Sequence, residues 1–188
     1  MIKNIELEIN NYKLEKNAKR FILNFKNNLN LKQKKINLGN ITLYNRDNLH
    51  ITLIGNTQCL ELYEFLNEKY SLQEIENIYF KIEEIINNLL KKQNFELKQE
   101  YHLLKKYYIK ENIEETRHSI IQIVESNILE KMWQEIKKLC NFKLSYIPPI
   151  PHITIYKQKE NVGIGLNRYE DLEKLSQKKS NNLSELTL

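Results

Sequence analysis

Cysteine, glycine, proline and arginine are all scarce in this 188-residue chain. The two cysteines, Cys59 and Cys140, stand in no metal-ligand or redox spacing, which excludes a disulfide framework and a cysteine zinc site. Both fall on apolar faces of expected helices and read as buried small hydrophobes in a reducing compartment. The four glycines form no phosphate loop, because Gly163-Ile164-Gly165 is too short for one. That pair reads instead as permitting close backbone approach beside a cleft. There are only four histidines, and His102 and His118 are not in ligand spacing with the other two, so no metal and no cofactor is expected. No apolar run approaches the length needed to cross a membrane. Met1-Ile2-Lys3-Asn4-Ile5-Glu6 lacks the apolar stretch of a signal peptide, so a soluble cytoplasmic protein is expected.

A net charge of +5 and a pI of about 9.0 make the chain mildly basic. That suits a polyanionic ligand such as RNA, and equally suits Lys-rich helices that are simply solvated. Hydrophobic residues at 41% are enough for a core, and the length suits one domain with room for two lobes. The expected domain covers residues 1–175, followed by a polar, flexible tail over 176–188.

Periodicity along the chain predicts an order of elements. Ile5, Leu7 and Ile9 alternate with Glu6 and Glu8 as in a half-buried strand. Leu14, Ala18, Phe21, Ile22, Phe25 and Leu29 fall at helical spacing, predicting a helix over 13–30. A strand over 36–44 is interrupted at Gly39-Asn40, and the turn Asn45-Arg46-Asp47-Asn48 leads into a further strand. Ser71-Leu72-Gln73-Glu74 is a capping box opening a long helix. Residues 94–111 suggest a long hairpin. Strands are expected at 118–124 and 142–146, a helix at 127–140 capped by Ser126, and one more strand at 162–166. Asn167-Arg168-Tyr169-Glu170 reads as a second capping box before a short helix. The order strand, helix, strand, strand thus occurs twice. The fold class expected is α+β: bilobal, with duplicated β-α-β-β units and antiparallel sheets around a central cleft, helices outside.

The last strand of each unit carries one design. Asn48-Leu49-His50-Ile51-Thr52-Leu53-Ile54 and Pro151-His152-Ile153-Thr154-Ile155-Tyr156-Lys157 both contain His-apolar-Thr-apolar. Side chains alternate across a strand, so each histidine shares a face with its threonine. Phosphodiester cleavage needs an activated attacking oxygen, a protonated leaving oxygen and stabilised phosphoryl oxygens. Two histidines, one neutral and one protonated near neutral pH, supply the first two. Two threonine hydroxyls donate to the non-bridging oxygens. Beside these, Tyr156 is a base-stacking or a core aromatic, and Arg46 is a phosphate contact or an ordinary turn residue.

His50-Ile51-Thr52-Leu53 and His152-Ile153-Thr154-Ile155 resemble the paired His-x-Thr/Ser-x signatures of the 2H phosphoesterase superfamily, which includes RNA 2′,3′-cyclic phosphodiesterases. The resemblance covers about residues 1–166, through motifs and element order. It implies a bilobal α+β fold and metal-independent hydrolysis of a cyclic (2′,3′-type) or 2′-5′ phosphodiester in RNA or a small nucleotide. His50, His152, Thr52 and Thr154 would be catalytic, and Lys157 occupies the place of the basic residue that often follows the second motif. Strict alternation would turn Lys157 away from His152. The expected partner is a nucleotide or RNA-end phosphodiester, the chain acting as a monomer with no membrane. The competing expectation is a nucleotide- or RNA-binding module on the same fold without catalysis.

Overall fold

In the computed structural model, the described residues are 12–17, 20–25, 34–46, 49–92, 95–110, 113–141, 150–158 and 163–186. A three-stranded antiparallel sheet is built from β1 (Tyr12–Asn17), β2 (Arg20–Phe25) and β5 (Leu49–Ile54), in that order. A six-stranded sheet has the order β3 (Lys35–Leu38), β4 (Ile41–Asn45), β8 (His152–Lys157), β7 (Ile113–Glu125), β6 (Glu96–Lys110) and β9 (Ser176–Ser180). Every pairing in it is antiparallel. The helices are α1 (Asn56–Asn67), α2 (Leu72–Leu90), α3 (Ile128–Cys140) and the short α4 (Tyr169–Leu175). The class is therefore α+β with antiparallel sheets.

The chief correction concerns the helix expected over 13–30: residues 12–17 and 20–25 are strands, and 26–30 lie outside the described residues. Phe21, Ile22 and Leu23 are consecutive and all buried. A short apolar run of this kind fits a strand buried on both faces as well as it fits a helical stripe. The edge of β5 decides between them, since β2 supplies the ladder that β5 needs. With that helix gone, the β-α-β-β repeat is not reproduced among the described residues. The strands expected at 5–9 and 142–146 lie outside them.

Other boundaries also move. The interruption at Gly39-Asn40 is a hairpin turn, with Gly39 at φ +58° joining β3 to β4. The hairpin expected within 94–111 is one long strand, β6, which pairs with β7. Residues 163–166 form no strand. The polar tail is instead β9, an edge of the large sheet, followed by a short 3-10 turn that buries Leu183 and Leu186. The Ser71 capping box is present: its hydroxyl accepts from Glu74 N–H, and the Glu74 carboxylate accepts from Ser71 N–H at 2.8 Å. Ser126 Oγ accepts from the Ile128 N–H at the start of α3. Asp171 closes the start of α4 by accepting from the backbone of Asn167 and Arg168.

The main core lies between helices and sheets. Ile75, Ile82, Ile86 and Leu90 of α2 and Leu129, Met132, Trp133 and Ile136 of α3 meet Leu49, Ile51 and Leu53 of β5, with Ile153 and Ile155 of β8. A smaller cluster covers the opposite face of the large sheet. It joins Leu104, Ile121 and Ile123 to Ile150, Ile164, Leu166 and Leu172.

Candidate functional site

β5 and β8 belong to different sheets, yet they run against each other. Both send their apolar side chains into the same core. Alternation therefore turns His50 and Thr52, and likewise His152 and Thr154, away from that core. His50, Thr52 and His152 are half-buried, and Thr154 is buried.

Each motif strand is irregular at the same place. In β5 the pairing with β2 steps from Thr52 to Ile54, skipping Leu53. In β8 the pairing with β7 steps from Thr154 to Tyr156, skipping Ile155. One extra residue is a β-bulge, and it reverses which face the following side chains take. The register along β8 makes this concrete. His152 pairs with Ile123 and Thr154 with Ile121, both in the smaller cluster. Tyr156 pairs with Ile120, and both lie in the main core. Lys157 pairs with Ser119, which shares its β7 face with Ile121 and Ile123.

Two expectations from the sequence change as a result. Tyr156 does not share the face of His152; it is 3% exposed among core residues, and burial pushes its phenol pKa up. That position takes it away from a base-stacking role. Lys157 does share the face of His152 and Thr154, where strict alternation would turn it away. In β5 the corresponding residue is Gly55, which caps α1. The two half-sites are thus chemically unequal past the bulge.

Arg46 joins β8 through its backbone N–H, which donates to the carbonyl of Ile155 at 2.9 Å. Its guanidinium reaches the same region. A Cβ on Gly163 would lie 3.8 Å from Thr154 Oγ1 and 3.9 Å from Arg46 Nη1. Gly163 thus lies beside Thr154 and Arg46, though a Cβ there would meet only ordinary contacts. His152 Nδ1 lies 2.8 Å from the Ile150 carbonyl, which fixes Nδ1 as the donor and leaves Nε2 as the acceptor of the neutral ring. Burial pushes the His152 pKa below its ordinary 6.5; the Ile150 carbonyl opposes this, and the charge of Arg46 adds to it.

The remaining histidines are held in structural pairs. His102 meets Ser176 Oγ at 2.8 Å and Glu100 at 2.9 Å, tying β6 to β9. His118 Nδ1 meets Gln158 Oε1 at 3.1 Å. Arg117 pairs with Glu115 and lies 4.0 Å from the centre of the Tyr108 ring. Among the described residues, no cluster of three or more His, Cys, Asp or Glu side chains is placed to hold a metal ion, and no helix is long and apolar enough to cross a membrane.

Sequence reasoning passes over Ser119. It is fully buried, and its hydroxyl has no hydrogen-bond partner among the described residues. Only the bulged register sets it opposite Lys157, and no local pattern carries that signal. Against protein-family models, curated proteins and solved structures, the chain has no match.

Proposed function

We propose that the chain is a phosphodiesterase of the two-histidine kind, hydrolysing a cyclic 2′,3′-type or a 2′-5′ phosphodiester without a metal. What supports this reading is that two neighbouring strands, β5 and β8, each turn a His-x-Thr pair away from one shared core. His152 is the general base: its ring is kept neutral, and Nδ1 is committed to the Ile150 carbonyl. Nε2 takes a proton from water as the water oxygen attacks phosphorus. His50, entering as imidazolium, gives its proton to the departing ribose oxygen as the P–O bond breaks. Thr52 and Thr154 donate to the non-bridging oxygens. Arg46 and Lys157 balance the charge gathered there. All these groups come from one chain, so a monomer suffices, and two free buried cysteines suit a reducing cytoplasm.

The test is a panel read by mass: nucleoside 2′,3′-cyclic phosphates, a short RNA ending in one, and a 2′-5′ dinucleotide. Turnover of at least one, unchanged by EDTA, is the expected result. The pH–rate curve should be bell-shaped, with an acid limb below the ordinary histidine range because the base has a lowered pKa. Tight nucleotide binding with no cleavage of any compound would replace this reading with a binding module.

A further inference from the structure

The face that carries His152, Thr154 and Lys157 continues onto β4 and β3. Lys157 pairs with Tyr44, and Tyr44 pairs with Lys35, so the three form one row on one face. Arg46 follows Tyr44 by two residues and therefore shares that face, with its guanidinium near Gly163 and Thr154. Tyr44 sits inside the sheet with a strand on either side, yet it is 46% exposed. The sheet has thus placed an open aromatic ring between two lysines. It stands one alternation step from Arg46.

The spacing suits one nucleotide. Two strand residues span about 6.8 Å, comparable to the reach from a nucleotide's phosphate to its base. Resting on the phosphodiesterase reading, we propose that Tyr44 is the base-stacking platform of this site. The nucleobase lies on the Tyr44 ring while the phosphate sits at Arg46 and Thr154. Stacking accepts any base, because every base has a π-face. Lys35, on the outer side of the ring, is placed for a neighbouring phosphate. The substrate class is therefore a nucleotide or an RNA end whose base adjoins the reacting phosphorus, with little preference among bases. The stacking role open to Tyr156 in the sequence passes to the tyrosine that solvent can reach.

The experiment compares the full chain with Tyr44→Ala and Tyr44→Phe. Turnover is measured on adenosine 2′,3′-cyclic phosphate and on its base-free analogue, methylriboside 2,3-cyclic phosphate. Tyr44→Ala should lower the kcat/KM preference for the base-bearing compound about tenfold or more, through KM, while Tyr44→Phe keeps the preference. An unchanged preference in Tyr44→Ala overturns the platform even where hydrolysis stands. If the wild type cleaves neither compound, binding of adenosine 2′-monophosphate decides separately. A loss of about tenfold or more in Tyr44→Ala retains the platform on a non-catalytic site. Equal affinity in both proteins, or no binding by either, removes it.

Discussion

His152 has its tautomer and protonation set by its surroundings. The Ile150 carbonyl fixes its tautomer, and burial with nearby Arg46 disfavours its protonation. The same perturbation affects folding. The unfolded chain takes up this proton near pH 6.5, whereas the folded chain resists it to lower pH. Stability contributed by the neutral ring is therefore complete above that value and is lost progressively as pH falls from it through the lower folded pKa. Urea midpoints at about pH 7.5 and about pH 5, above and below the unfolded value, should differ more in the wild type than in His152→Gln. Equal differences would deny the lowered pKa. At the same scale, burial pushes the thiols of Cys59 and Cys140 up to about 11. Neither should react with iodoacetamide at neutral pH in the native chain, and both should react in urea. Rapid native labelling would contradict their burial. The histidines are legible in the sequence by their pattern. The buried hydroxyl of Ser119 is not, because its place depends on pairing with a distant strand.

Bulges set the chemistry at the scale of the element. Without the extra residue in β8, period-two alternation would send Lys157 into the core and Tyr156 out toward the site. With it, an aromatic is buried and a cation is delivered to the face of His152. Lys157→Met keeps an apolar stem and removes the charge. It should lower kcat/KM about tenfold to a hundredfold, the usual weight of a charge-assisted hydrogen bond, with little change in melting temperature. A large loss of stability with unchanged kinetics would assign Lys157 a structural role instead. Sequence periodicity assumes regular strands, so a bulge escapes it. A related limit explains residues 20–25, where the apolar run has no period of its own and the pairing with β5 makes the choice. The long helices are legible: α2 begins at its capping box, and α3 presents Leu129, Met132, Trp133 and Ile136 to the core.

At the scale of the whole molecule, one core serves both motif strands. α2 and α3 back Leu49, Ile51 and Leu53 of β5 together with Ile153 and Ile155 of β8. That shared backing turns the histidine and threonine of each motif strand away from one core. The sequence suggests a convergence of the two histidines through a repeated unit. In the structure a small sheet joins a large one where β5 meets β8. The apolar spacing of residues 14–25 reads as helical, while the partner strand that overrides such spacing lies elsewhere in the chain.

If one phosphorus is served by both imidazoles, their losses cannot multiply. A double-mutant cycle on the best substrate of the panel measures this. His50→Ala and His152→Ala should each cost about a hundredfold or more in kcat. The double variant should be no slower than the worse of the two, since acid and base act in a single step. Losses that multiply in the double variant, or full activity in either single one, would contradict a shared site.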